Sequence, residues 1–242
     1  MNFINKIKIF IKRYLFGVKW CCNNCGKEIF SGKYFCEKCE KQLPYNDGYL
    51  CEHCGRKLSM PLSYCSTCKN NLVDIDKSRS VFVYKEPISY LIQEAKYSNK
   101  RYLLEMFASF LEPIYQKNYF DADYLCFVPM TDKAFKKRGY NQSKILAEEL
   151  SKRINVQVLD CLRKTKETSR QAKLNRKERL QNLKGVFKVV DKKSVADKSI
   201  MIIDDVSTTG ATAQVIASIL KDAGAKKVYL LSVASVPPRE GY

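Results

Sequence analysis

The stretch Ile200-Met201-Ile202-Ile203-Asp204-Asp205-Val206-Ser207-Thr208-Thr209-Gly210-Ala211-Thr212-Ala213 decides how this chain is read. The unbroken apolar run, entered from Ser199, fits a strand buried on both faces, as in a parallel sheet. Two carboxylates close that strand. A hydroxyl-rich loop with one glycine follows, and then a helix over Thr212–Ala223 ended by Gly224. Backbone amides of Ser207, Thr208, Thr209, Gly210, Ala211 and Thr212, with the helix N-terminus behind them, make a cradle for an anion. Gly210 lets a phosphate approach the backbone closely, and Thr208, Thr209 and Thr212 add hydroxyl donors. Asp204 and Asp205 repel each other and any phosphate beside them. The pair makes sense if ligand hydroxyls lie between acids and phosphate, with Mg²⁺ nearby offsetting the charge. A plain capped turn would leave both acids and the threonines without a task. A nucleotide-hydrolase strand would need a G-x4-G-K-[ST] loop, which the sequence lacks.

Outward from this stretch, strand and helix patterns alternate. Val81–Tyr84 reads as a strand, Pro87 opens a helix to about Tyr97, and a second helix runs near Tyr102–Gln116. Leu125–Val128 is a short buried strand stopped by Pro129. Gln142–Ile154 is a helix with Ile145, Leu146, Leu150 and Ile154 on one face. Val156–Leu159 and Val186–Val190 are further strand candidates, and Lys227–Val233 is a last core strand. Such alternation predicts an α/β domain over 80–242 with a parallel sheet covered on both faces.

The chain has 242 residues, enough for one medium domain and a small one. It carries 11 cysteines, and those between Cys21 and Cys68 fall largely into Cys-x-x-Cys pairs. Cys22, Cys25, Cys36 and Cys39 recur, at the same spacing, as Cys51, Cys54, Cys65 and Cys68. The flanks recur as well, Cys25-Gly-Lys-Glu-Ile29 against Cys54-Gly-Arg-Lys-Leu58. Two Cys-x-x-Cys knuckles, each turning on a glycine (Gly26, Gly55), deliver four thiolates in tetrahedral array. The repeat predicts a double zinc ribbon over 21–70 with two zinc ions, paired sequentially; interleaved pairing stays open from sequence. A segment so short and polar depends on its metal to fold. Cys21 is a spare neighbour, His53 a bystander, and Cys126 and Cys161 fall in apolar surroundings where they pack. A linker, Asn70–Arg79, follows the repeat.

Residues 1–20 read as an amphipathic basic helix. Its apolar stripe runs through Phe3, Ile4, Ile7, Phe10, Ile11, Tyr14, Leu15 and Val18, and it would either pack on the chain or lie peripherally on an acidic membrane surface through 3–18. Lys6, Lys8, Lys12, Arg13 and Lys19 interrupt any signal-peptide core, so a cytoplasmic location is expected, with contact at the inner membrane face as the variant. Lys and Arg number 43 against 25 Asp and Glu, a formal net charge of +18 that favours polyanionic partners. The cationic excess is concentrated over Arg163–Lys193. Tyr34, Phe35, Tyr64 and Tyr140 are candidates for stacking on bases, with packing as their alternative role.

The stretch at 200–213 resembles the type I phosphoribosyltransferase signature, and the remainder resembles the ComF (ComFC) family, which places cysteine ribbons before that domain. Val83-Tyr84, Pro87, Leu91-Ile92 and Lys96-Tyr97 are similar to the family's opening segment. Val128-Pro129 and Lys137-Arg138-Gly139-Tyr140-Asn141-Gln142 are similar to the loop after its first core strand. Arg163, Thr168, Gln171, Leu174, Arg179, Asn182, Gly185 and Phe187 are similar to its hood segment. Thr131 and Asp132 depart from it, since the family often has a histidine there. The resemblance implies a protein of natural transformation and DNA uptake. It would bind phosphoribosyl diphosphate with Mg²⁺, or a nucleotide, together with single-stranded DNA and DNA-uptake or recombination proteins. By position, Lys136, Lys137 and Arg138 would face the pyrophosphate, and the hood would close over the ligand. Two alternatives remain at this stage. One is an active phosphoribosyltransferase, amidophosphoribosyltransferase-like or purine-salvage-like, that releases pyrophosphate. The other is a structural zinc protein with a vestigial pocket. Val236–Arg239, where an acceptor base would be held, lacks an aromatic side chain, which favours binding over base salvage.

Overall fold

The computed structural model describes residues 21–30, 32–70, 74–118, 120–166, 183, 185–208 and 210–236. The segment 3–18, most of the hood, Thr209 and residues 237–242 lie outside these.

Four parallel strands form the central sheet: β1 (Lys77–Val83), β2 (Tyr124–Phe127), β5 (Ser199–Ser207) and β6 (Lys227–Ser235), in the order β1-β6-β5-β2. Ile200, Met201, Ile202 and Ile203 are all 0% exposed, which is why the continuous apolar run takes a central position. Alternate residues of β5 feed two cores. Met201 and Ile203 join a cluster with Leu104, Phe107, Leu111, Leu146 and Leu150. Ile200 and Ile202 join Ile216, Ala217 and Leu220 on the opposite face. Helices α3 (Ile88–Tyr97), α4 (Tyr102–Lys117) and α6 (Gln142–Ile154) therefore cover one face, and α7 (Ala211–Asp222) the other. The fold is the expected α/β one.

The structure differs from the sequence reading at short elements. The basic segment after β2 is a helix, α5 (Asp132–Arg138), rather than a loop. The Thr131 side chain caps it by accepting from the Ala134 amide at 3.3 Å, and Gly139 ends it at φ 80°. Residues 156–159 make a single bridge from Val158 to Leu125 instead of a full strand. β4 (Phe187–Val189) pairs with β3 (Leu162–Lys164) in a separate antiparallel ribbon at the base of the hood. β1 begins at Lys77, inside the stretch read as linker.

That early start lets β1 carry the cysteine-rich segment, which includes the helical turns α1 (Glu37–Glu40) and α2 (Ser66–Asn70). One edge of β1 pairs with β6. Along the other, the Ser78 amide donates to His53 O (2.6 Å), the Asn46 amide to Val81 O (2.9 Å) and the Val83 amide to Pro44 O (2.7 Å). The Arg79 guanidinium, 9% exposed, donates to Glu52 O (2.9 Å), Cys51 O (3.3 Å), Ser78 O (2.7 Å) and Asn118 Oδ1 (2.8 Å). An aromatic chain of Tyr45, Phe82, Phe110 and Phe35 continues the contact at centroid spacings of 5.1 to 6.1 Å. Phe35 (1% exposed) and Tyr140 (4%) are core residues, so neither offers a face to a base.

Gly55 tests this docking. It sits at φ +68°, and a Cβ there would meet Ser78 O at 2.5 Å, whereas Gly32 has the same φ with nothing within 4 Å. Gly32→Ala is expected to lose about 1–2 kcal/mol from the left-handed backbone alone. Gly55→Ala should lose several times the Gly32→Ala drop in Tm in parallel thermal melts. Equal drops would show that the contact with β1 contributes nothing.

Candidate functional site

β2 stops at Phe127, paired with Ile203, because Pro129 has no amide to extend the ladder. β5 continues to Ser207, supported only by β6. The connections of these two neighbouring strands leave to opposite faces, β2 towards α6 and β5 into α7. A crevice opens at the carboxyl ends of strands that diverge in this way, and there such folds bind ligands. The crevice measures about 210 Å³, and Val128, Pro129, Thr131, Arg138, Gln142 and Asp204 are among its walls, with Asn141, Ser143 and Lys164.

The segment Arg138–Ser143 builds one wall residue by residue. Gly139 reverses the chain after α5. Tyr140 anchors it, its hydroxyl donating to Ala95 O and its ring lying 4.6 Å from the Arg101 guanidinium. Asn141 caps α6 by accepting from the amides of Ser143 (2.9 Å) and Lys144 (3.2 Å), and it donates to Val128 O at 3.0 Å. Gln142 accepts from Arg138, whose guanidinium also lies 5.2 Å from the Tyr97 ring. Of the basic trio, Arg138 lines the crevice, while Lys136 and Lys137 are exposed on α5.

The two acids at the end of β5 have different surroundings. Asp205 is 6% exposed and forms an ion pair with Lys96 of α3 at 2.7 Å. Burial, the largest single influence, would lower the Lys96 pKa, but its contact with Asp205 and the charge of Asp204 together outweigh burial and raise it. Asp204 faces the crevice. Its Oδ1 accepts from Ser143 Oγ (3.1 Å) and from the Asp205 amide (2.9 Å). Burial, and then the charge of Asp205, push its carboxyl up to about 7. The like-charge conflict apparent in the sequence is thus met partly by a lysine of the fold. Neither Lys96 nor Ser143 was marked as a site residue by the sequence. Gly210, at φ 74°, precedes α7, whose first residue Ala211 is buried and whose Thr212 is half-buried.

In the N-terminal segment, Cys22, Cys25, Cys36 and Cys39 form one cluster and Cys51, Cys54, Cys65 and Cys68 another, with all ligand atoms of each within 4.8 Å of one another. The pairing is sequential. Cys25 Sγ lies 3.8 Å from Cys36 Sγ, and Cys54 Sγ lies 3.8 Å from Cys65 Sγ. A tetrahedron with Zn–S bonds of about 2.3 Å has edges of about 3.8 Å, so these two pairs stand at the edge length zinc requires, and the remaining thiols lie close enough to complete each site. Burial holds the Cys39 and Cys68 thiols well above the ordinary range, and a bound cation reverses that penalty by stabilising the thiolate. His53 belongs to neither cluster.

A family profile described as "Phosphoribosyl transferase domain" matches residues 137–241. Competence protein F of Haemophilus influenzae is 29% identical over 244 residues, covering 97% of this chain and 99% of its own length. Competence protein ComFC of Streptococcus pneumoniae is 31% identical over 155 residues, covering 64% of this chain and 66% of that protein. DNA utilization protein YhgH of Escherichia coli K12 is 28% identical over 213 residues, 86% of each chain.

Two outcomes follow from this geometry. Elemental analysis of purified protein should find two zinc ions per chain, and Cys22→Ser should retain one; interleaved sites would lose order in both halves. For Asp204, the folded carboxyl titrates near 7 and the unfolded one near 3.8, so ionisation weakens the fold as pH rises through that window. Asp204→Asn should therefore raise Tm at pH 8 and give no gain near pH 4. A gain independent of pH would show that burial of the charge is not the cause.

Proposed function

This chain belongs to the ComF (ComFC) family, and on that premise we propose that it binds a phosphoribosyl compound in the crevice between β2 and β5 and handles single-stranded DNA in natural transformation. The observation that carries the reading is the crevice itself. A carboxylate for a sugar hydroxyl (Asp204) and a guanidinium for phosphate (Arg138) line one cavity at the strand ends, held from behind by Asn141 and Ser143. Phosphoribosyl diphosphate needs donors and positive charge around its diphosphate and acceptors around its ribose. Mg²⁺, when bound with the diphosphate, would supply further neutralising charge. Arg138 would orient the diphosphate, because a guanidinium docks phosphate with two parallel donors and Gln142 already fixes its plane. The four-cysteine clusters, holding zinc, would keep the N-terminal segment folded against β1. The net charge of +18 supports the nucleic-acid part of the reading. Among the described residues no helix is long and apolar enough to cross a membrane.

Calorimetric titration of zinc-loaded protein with phosphoribosyl diphosphate and Mg²⁺ tests the pocket. Arg138→Gln should weaken binding by about 10- to 100-fold, the scale of a charge-assisted contact, while Lys136→Gln with Lys137→Gln should change it by less than about threefold. The reverse pattern would move the diphosphate onto α5. A pyrophosphate-release assay with candidate bases separates a binding protein from a transferase: heat of binding without release supports the former. For DNA, fluorescence anisotropy with a labelled single strand should show affinity falling at least about tenfold from 50 to 200 mM salt, because phosphate contacts release counterions. Affinity indifferent to salt, or no binding at low salt, would reject this part.

A further inference from the structure

The acidic pair at the end of β5 is the feature on which the structure and the sequence pattern part company. In sequence the two carboxylates look equivalent, one for each of two vicinal sugar hydroxyls. In the fold they are not. The Asp205 side chain turns to the α3 side of the sheet, is 8% exposed, and is held by Lys96 Nζ at 2.7 Å. Asp204 alone of the two lines the crevice. Its own capacity is also reduced. A carboxylate oxygen has two lone pairs, and those of Oδ1 are committed to Ser143 Oγ and the Asp205 amide. Oδ2 is left for a ligand.

We propose, on the reading of the crevice as a sugar-phosphate site, that Asp204 Oδ2 accepts from a single sugar hydroxyl, that Lys96 withholds Asp205 from the ligand, and that the site therefore takes 2-deoxyribose 5-phosphate units as well as ribose ones. The geometry behind this is an arrangement of charges. Two free carboxylates would reward a vicinal diol and penalise its loss, because a buried acceptor left unpaired costs more than the bond it lost. Lys96 gives Asp205 a charge partner within the protein at 2.7 Å, so the penalty of a buried carboxylate without a counter-charge does not fall on a sugar that lacks the 2′-hydroxyl. The 3′-hydroxyl, which ribose and 2-deoxyribose share, is sufficient for Oδ2. Lys96 is then a positioning residue. It touches no ligand, and it sets how many hydroxyls the site asks for. The substrate class widens to the sugar phosphate of DNA, the free nucleotide or the end of a strand.

The experiment compares adenosine 5′-monophosphate, its 2′-deoxy form and its 2′,3′-dideoxy form by calorimetry on the zinc-loaded wild-type chain. The first two should bind within about threefold of each other and the third at least about tenfold more weakly, the loss of one charge-assisted hydrogen bond. Asp204→Asn should remove the difference between the 2′-deoxy and dideoxy forms. Lys96→Met with Asp205→Leu replaces the buried ion pair by apolar groups of similar size, a change that buried pairs tolerate. This double variant should keep the wild-type order of all three nucleotides. A preference of about tenfold or more for the ribose form over the 2′-deoxy form would show two working carboxylates and overturn the proposal while leaving the site in place. Equal binding of all three would show that Asp204 meets no hydroxyl, which overturns it as well. Binding of none would remove the sugar-phosphate reading itself, and the proposal with it. The wild-type order decides the matter even if the double variant fails to fold.

Discussion

The site depends on one strand outrunning its neighbour. As far as Ile203, β5 has β2 on one side and β6 on the other, and its side chains are sealed in two cores. One residue later β2 has gone. Asp204 through Ser207 keep strand geometry only because β6 continues beside them to Ser235. Polar side chains are tolerated there because the crevice takes the place of a packed partner.

Around this gap the walls are fixed before any ligand arrives. Asn141 ties the start of α6 to the end of β2 with one side chain that both accepts and donates. Ser143, the second residue of the same helix, reaches Asp204 across the sheet end. Lys96 comes from a third element, α3. Two separate helices, α6 and α3, therefore hold the acids, and each is anchored in the core through neighbours such as Ala95, Leu146 and Leu150. Preorganisation of this kind lowers the cost of ordering side chains on binding.

What the sequence disclosed follows from the kind of signal each feature leaves. β5, its loop and α7 were legible because a doubly buried strand and a glycine-bearing turn are local patterns. The cysteine pairing was legible because the repeat carries its own register. α5 escaped because it has no buried residue and hence no apolar stripe; its signature was the pair of ends, Thr131 before it and Gly139 after it. Phe35 and Tyr140 were offered as stacking groups, yet both are buried, since an aromatic residue in sequence carries no mark of which side faces water. The Lys96–Asp205 pair was out of reach for a different reason. More than a hundred residues separate its members, and only the packing of α3 against the end of β5 brings them together.

The outer flank of β1 carries a consequence of its own. A strand at the margin of a sheet exposes unpaired amides and carbonyls that can template pairing with another chain. Here the cysteine-bearing segment takes those groups through His53, Asn46 and Pro44. That segment owes its shape to eight thiols rather than to a core of its own size. Chelation or thiol oxidation would thus bare a seven-residue strand, Lys77–Val83, whose interior residues Ser78–Phe82 are buried in the folded chain. Holding zinc, the cysteine clusters would in this sense guard against self-association, and the colloidal behaviour of the protein would follow the redox and zinc status of its surroundings.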